Sequence, residues 1–90
     1  MEIEETLKAR GSQYGAFKLH AAITQDLKGV MESHIGWTNL TTDKKEALHM
    51  IVHKIGRIIN GNPELHDSWH DIVGYAKLVA DDLVSKKSSL

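Results

Sequence analysis

The stretch GNPELHDSWHDIVGYAKL, residues 61–78, contains the end of one predicted helix and the start of the next. Asn60-Gly61 is a typical helix stop, and Pro63 prevents the preceding helix from continuing. Asp67 or Ser68 then supplies an oxygen that caps the following helix. Because the connection is short, we expect the two flanking helices to form an antiparallel hairpin.

Both helices beside this connection have apolar stripes of helical spacing. The first begins at the cap-type residues Thr41 to Asp43, since Asp43 and Glu46 have the spacing of a capping box, and Gly56 within it indicates close helix packing. The second runs to about Ser85. Predicted buried positions repeat every three or four residues: Leu48, Ile51, Val52, Ile55, Ile58 and Ile59 in the first helix, and Trp69, Ile72, Val73, Ala76, Val79, Ala80 and Leu83 in the second.

Two further helices are predicted in the first half of the chain. A short helix over residues 2–10 is expected to end at Gly11, within a glycine-flanked turn at Arg10–Gly15. A longer amphipathic helix follows from Ala16 to about Ser33. Residues 34–40 have no helical period, so we predict an ordered loop there whose Trp37 covers the core.

Length and composition are those of one small domain. The chain has 90 residues, of which 41% are hydrophobic and 26% charged. It has no strand pattern, repeat or linker, so we predict a compact all-α four-helix domain over residues 1–90, with a frayed tail at about 86–90. Since a single core is marginal at this size, we expect a homo-oligomer.

Charge and cysteine content narrow the range of partners. Eleven basic and twelve acidic residues give a formal net charge of -1, without the positive field that drives binding to DNA. Cysteine is absent, which is compatible with a reducing cytoplasm. No window approaches the roughly 20 apolar residues of a membrane span. We therefore expect a cytoplasmic protein that binds neither DNA nor membranes.

A polar cluster at the predicted hairpin is the first candidate binding site. Its cations lie three residues apart on one helix, and its other polar residues recur every four residues on the next. The cations can hold a phosphate or carboxylate while an aromatic side chain stacks on a ring. A salt-bridge network that fixes the register of the hairpin is the alternative. The residues concerned are Lys54, Arg57, Asp67, Trp69, Asp71 and Tyr75.

The turn predicted at Arg10–Gly15 is the second candidate. Backbone N–H groups before a helix can hold an anion, and Tyr14 can stack on a ring. We therefore add Arg10 and Tyr14 to the predicted ligand-binding residues. The structural alternative is a glycine-permitted turn in which Tyr14 packs against the core.

Histidine and aspartate pairs at i, i+4 spacing raise the question of a metal site. Such pairs can converge on zinc or manganese. However, no Glu follows His49 directly, as the zinc-protease motif requires, and six histidines in 90 residues produce such pairs by chance. We therefore predict exposed histidines, with no metal site and no catalytic residue. The pairs are His49/His53, His66/His70 and Asp67/Asp71.

Several segments together resemble a family of small uncharacterised proteins of tailed phages and prophages. The main pattern is Asp67-x-Trp69-x-Asp71-Ile72-x-Gly74-Tyr75-Ala76, which is accompanied by Gly61-Asn62, by Arg10-Gly11-x-x-Tyr14-Gly15 and by matches within residues 46–58. The resemblance implies expression in the cytoplasm of an infected bacterium. It also implies an accessory role, since small phage proteins of this kind often act on nucleotides or on host defences.

Residues 71–78 are also similar to the later helix of the MazG-like all-α nucleotide pyrophosphohydrolases. Those enzymes hold magnesium against a triphosphate with an E-x-x-E pair and a later E-x-x-D pair. The similarity implies a hydrolase that uses Glu46, Asp67 and Asp71 with magnesium or manganese. In this chain His49 stands at the second position of the first pair, and the two aspartates are four residues apart.

Three functional hypotheses follow from the residues and these resemblances. The first is a non-enzymatic phage oligomer, without a cofactor, that binds a small anionic ligand such as a nucleotide or a nucleotide-derived signal and withholds it from a host defence. A divergent metal-dependent pyrophosphohydrolase is the second. The third is a protein-interaction module that inhibits a host enzyme through Trp37, Trp69 and a helix face.

Overall fold

The part of the chain that the structure describes forms four α-helices and one short 3-10 helix. The computed structural model describes residues 2–88, and those residues include no strand, so the prediction of an all-α fold is confirmed. None of the helices it describes is long and apolar enough to cross a membrane. In chain order the elements are α1 (Ile3–Tyr14), α2 (Phe17–Glu32), the 3-10 helix (Ile35–Asn39), α3 (Thr42–Asn60) and α4 (His66–Ser88).

Helix α1 is longer than predicted. It continues through Gly11 to Tyr14, so the turn predicted at Arg10–Gly15 is wrong. The helix ends instead at Gly15, whose φ of 81° lies in the left-handed region and whose N–H donates to the Gly11 carbonyl at 2.9 Å. A glycine inside a helix costs only about 1 kcal/mol, so Gly11 alone does not end α1.

The other helix boundaries lie within a few residues of the predicted ones. Helix α3 begins at Thr42, and the hydroxyl of Thr41 donates to the Asp43 carboxylate. Asp43 therefore does not cap the helix, and the predicted capping box is wrong. The loop predicted at residues 34–40 is mostly the 3-10 helix. Helix α4 continues to Ser88, so residues 86–88 are helical, and the rest of the predicted frayed tail lies outside the described residues.

Helix α3 is the element that the other helices contact. It packs against α2 and α4 and also touches α1. At Gly56, a Cβ atom would lie 2.7 Å from Thr24 Cγ2 and 2.9 Å from His20 Cδ2. Glycine at this position therefore permits the close packing of α2 and α3 that the sequence indicated.

Hydrogen bonds fasten the junction of α1 and α2 to the end of α3. The side-chain amide of Asn60 donates to the carbonyl oxygens of Tyr14 and Ala16, both at 3.0 Å. Nearby, the backbone N–H of Asn62 donates to the carbonyl of Gln13 at 2.8 Å. We call these three hydrogen bonds the junction clamp.

Two glycines make room for the junction clamp. A Cβ atom on Gly15 would lie 2.1 Å from the carbonyl oxygen of Asn60. On Gly61 it would lie 2.3 Å from the carbonyl oxygen of Gln13. No side chain fits at either position without moving backbone, so both glycines are required for the approach of α1 to α3.

The apolar stripe predicted to be buried on α4 is largely exposed. Trp69 is 53% exposed, Val73 63% and Leu83 46%, and both alanines of the stripe are exposed as well. Only Ile72 and Val79 of that stripe are half-buried. The prediction is wrong for the other five because α4 packs almost entirely on one helix, α3, and turns its most buried residue, Ser68, toward the molecule.

The stripe on α3 is covered better, but not completely. Val52 is buried, while Ile51, Ile55 and Ile58 are half-buried. Ile59 is 65% exposed. Among the described residues no large side chain is fully buried, and the only buried hydrophobic residues are Ala47 and Val52.

Replacing Gly15 at the helix junction should destabilise the fold, whereas replacing Gly29 inside helix α2 should not. We expect Gly15→Ala to lower the free energy of unfolding by at least about 2 kcal/mol, because alanine strains a positive φ and its Cβ displaces Asn60. Gly29→Ala is the control, since nothing lies within 4 Å of a Cβ there, and it should raise stability by about 0.5–1 kcal/mol. Urea unfolding followed by circular dichroism measures both. Equal effects would contradict the junction clamp.

Candidate functional site

A cavity of about 700 Å³ opens between α1, α2 and α3. We call it the junction pocket, because its walls meet where the junction clamp fastens α1 and α2 to α3. Helix α1 contributes a face with i, i+3, i+4 and i+7 spacing. The volume is within the range of about 300–1,000 Å³ that is typical of small-molecule sites. The lining residues are Leu7, Arg10, Gly11, Tyr14, Gly15, Ala16, Phe17, His20, His53 and Arg57.

Two arginines supply the charge of the junction pocket. The guanidinium carbon of Arg57 lies 4.2 Å from the centre of the Tyr14 ring, which is a cation–π contact. No acidic residue lines the pocket. Within the described part of the chain, neither Arg10 nor Arg57 has a carboxylate within 4.0 Å. Their N–H donors are therefore available to an anion, which they can bind in bidentate fashion.

A pair of histidines forms the floor between α2 and α3. The Nε2–H group of buried His20 donates to the carbonyl oxygen of His53 at 3.0 Å. The two rings meet edge to face, with centroids 4.6 Å apart. Burial, and then the positive charge of Arg57, lower the pKa of His53 to about 4. His53 is therefore neutral at pH 7 and can donate or accept a hydrogen bond.

Aromatic surface lies beside the cations. Phe17, the first residue of α2, lines the pocket although it is 80% exposed, and its ring centroid lies 6.5 Å from that of His20. Tyr14 is half-buried under Arg57. An exposed ring of this kind provides a face on which a planar ligand can stack.

The polar cluster predicted at the hairpin is divided between two environments. Lys54 is buried, and its Nζ donates to Asp71 Oδ2 at 3.0 Å. This hydrogen bond holds the pKa of Asp71 below its usual range. Arg57 instead lies in the junction pocket with Arg10 and Tyr14. The structure therefore joins three predicted residues at one site and uses Lys54 and Asp71 as an ion pair between α3 and α4.

The remaining predicted residues lie on α4, away from the junction pocket. Tyr75 and Asp71 line a shallower cavity of about 370 Å³ with His70, Gly74 and Leu78. The indole N–H of Trp69 donates to the Pro63 carbonyl at 2.8 Å. The side chain of Asp67 is 82% exposed, and its Oδ1 lies 4.0 Å from Nδ1 of His66. Neither Asp67 nor Trp69 lines either of these cavities.

The acidic residues that the hydrolase hypothesis requires, Glu46, Asp67 and Asp71, do not form one cluster. Glu46 precedes Lys54, the partner of Asp71, by eight residues, or about 12 Å along the axis of α3. Magnesium and manganese need oxygen ligands about 2 Å from the ion. In the region that the structure describes, no group of three or more histidine or acidic side chains is arranged to hold a metal ion.

The sequence did not lead us to expect Phe17, His20 or His53 at a ligand site. His53 was considered only as a metal-binding partner of His49, and the prediction of exposed histidines is wrong for buried His20 and half-buried His53. His20 lies one helical turn before Thr24, and both are buried polar residues on α2. His53 lies one turn before Arg57 on α3, so the two share a face. The sequence signal for His20 and His53 is that each is a polar residue on the inward face of an amphipathic helix.

Comparison of the chain with protein-family models, curated proteins and solved structures found no match.

The lowered pKa of His53 has a consequence for stability. The unfolded chain takes up a proton at this side chain near pH 6.5, whereas the folded chain does so only near pH 4. The free energy of unfolding should therefore fall as the pH decreases from about 6.5 to 4. His53→Gln should reduce this slope, and His34→Gln, which changes an exposed histidine, should leave it unchanged. Urea unfolding at several pH values measures the slopes, and an NMR titration of His53 with a midpoint above pH 6 would contradict the account.

Proposed function

We propose that the junction pocket binds a small anionic ligand that carries an aromatic ring, namely a nucleotide or a nucleotide-derived signal. The observation that carries this proposal is the pair of arginines without carboxylate partners, beside Tyr14, in a pocket that no acidic residue lines. Two cations that have no carboxylate within 4.0 Å, at a cavity without acidic residues, favour an anion there.

The pocket has complementary groups for each part of such a ligand. The guanidinium groups of Arg10 and Arg57 can bind phosphate oxygens, each through two parallel N–H groups. Phe17 offers a face for the base, and Tyr14 makes a cation–π contact with the Arg57 guanidinium. Neutral His53 can exchange a hydrogen bond with a sugar or base without adding charge.

Withholding this ligand from a bacterial defence is the biological role that we propose. Sequestration requires tight binding and no chemical conversion, so it needs neither a nucleophile nor a metal ion. The support for a phage context is the resemblance of residues 67–76 to small phage proteins. On the same resemblance we propose that the protein acts in the cytoplasm of the infected bacterium.

We also infer the arrangement of the two C-terminal helices and the state of assembly. Only residues 61–65 connect α3 to α4, and Lys54, six residues before the end of α3, pairs with Asp71, five residues after the start of α4. These positions suit an antiparallel hairpin. The exposed apolar stripe of α4 supports self-association of the chain as a homo-oligomer.

Removing either arginine should weaken ligand binding. We expect Arg57→Ala and Arg10→Ala each to reduce the affinity for ATP at least 10-fold, which is the loss expected for a charge-assisted hydrogen bond. Lys8→Ala is the matched control, because it removes one positive charge from α1 at a position outside the pocket. Isothermal titration calorimetry of the three variants and the unaltered protein makes the comparison.

The same titrations with adenosine and with inorganic phosphate test the two halves of the proposed ligand. Each should bind more weakly than ATP, because each meets only one part of the pocket. Absence of binding by ATP, AMP and a cyclic dinucleotide at millimolar concentration would contradict the proposal. If Lys8→Ala and Arg57→Ala lowered the affinity for ATP equally, the binding would be nonspecific electrostatic attraction and not recognition by the pocket.

Lys54 should behave differently from Arg57. Lys54→Ala leaves Asp71 without its ion-pair partner, so it should lower the thermal unfolding midpoint while nucleotide affinity changes less than threefold at a temperature where the variant is folded. Thermal unfolding and calorimetry at that temperature measure the two effects. Loss of binding with unchanged stability would instead place the site at the hairpin cluster.

A further inference from the structure

Helix α4 carries an exposed seam with the spacing of a coiled coil. The exposed residues Trp69, Val73, Ala76, Ala80 and Leu83 are separated by four, three, four and three residues. This spacing keeps apolar side chains on one stripe of a helix and is typical of a surface that packs on another helix. We call these five residues the α4 seam.

The chain exposes more surface than a compact monomer of its size would. The accessible surface is 6698 Å², whereas a compact monomer of 10.1 kDa exposes about 5,300 Å². The excess, about 1,400 Å², is larger than the roughly 800 Å² that each partner contributes to a standard interface. The excess surface is therefore large enough for a stable interface with a second chain.

Helix α3 extends the same surface. Leu48, Ile55 and Ile59 share one face of α3, and Ile59 is 65% exposed. In the antiparallel hairpin inferred above, helical rotation places this face and the α4 seam on the same side of the molecule. Ile59 follows Arg57 by two residues, which is about 200° around the helix. The apolar side is therefore opposite the junction pocket.

We propose that a second copy of this chain covers the α4 seam, with the two seams packed antiparallel across a twofold axis at Ala76. The sizes of the seam residues favour this register. Trp69 of each copy meets Leu83 of the other, Val73 meets Ala80, and the two Ala76 residues meet at the axis. Large residues therefore face smaller ones, and alanines lie where the helices approach most closely.

A second copy suits this surface because each copy offers the same unpaired stripe. In a twofold interface the same patch of each copy covers that of the other, and the fold leaves this patch exposed in every copy. The proposal does not depend on ligand binding, since Arg10 and Arg57 take no part in it.

Sedimentation velocity at micromolar concentration tests the interface. The unaltered protein should sediment as a dimer or as an even-numbered oligomer, and Ala80→Arg should sediment at half that mass or less, or fail to fold, as circular dichroism would show. Leu78→Arg is the matched control, because Leu78 is 70% exposed on α4 about 200° around the helix from Ala80. It should leave the oligomer intact. A monomeric unaltered protein overturns the proposal.

Cysteine crosslinking gives a second measurement that does not require a folded monomer. Because the chain has no cysteine, a single Ala76→Cys substitution reports only on its own position. Under mild oxidation with diamide it should form a covalent dimer, seen on a non-reducing gel. Leu83→Cys should not, because the two copies of residue 83 would lie about 21 Å apart along the seam. Crosslinking at residue 83, or none at residue 76, overturns the antiparallel seam.

Discussion

The side-chain amide of Asn60 connects three helices beside the junction pocket, where we propose that the ligand binds. By donating to the carbonyls of Tyr14 and Ala16, it fixes the end of α1 and the start of α2 on the last turn of α3. Helix α1 has no buried residue of its own, so its position depends on these backbone contacts more than on a core. The same contacts position the Tyr14 ring with its centre 4.2 Å from the guanidinium carbon of Arg57. Tyr14 and Arg57 thereby form part of the wall of the junction pocket.

The sequence predicted the fold class and most helices, because apolar periodicity and the stop at Asn60-Gly61 are local signals. It did not predict where α1 ends. Gly11 and Gly15 look alike in sequence, and only the approach of Asn60 requires glycine at the second position. Burial on α4 was also mispredicted, since periodicity shows that a stripe is apolar but not whether its partner belongs to the same chain.

The candidate site could be predicted only in part, for a similar reason. Spacing placed Lys54 and Arg57 on neighbouring parts of α3, but spacing does not show which of the two cations forms an ion pair with a carboxylate. Asp71 neutralises Lys54, while Arg57 turns to Tyr14, a residue more than 40 positions earlier. Arg10, Tyr14 and Arg57 converge through a tertiary contact that no local pattern encodes. Helix α3 consequently presents two different faces, one toward the pocket and one with exposed isoleucine and leucine.

An NMR titration of the isotope-labelled protein with ATP distinguishes binding at the junction pocket from binding at α4. Binding at the junction pocket should concentrate the amide shifts at residues 10–20 and 53–57. It should also raise the pKa of His53 from about 4, because a bound phosphate stabilises the imidazolium. Shifts concentrated at Asp71 and Tyr75, with the His53 titration unchanged, would contradict it.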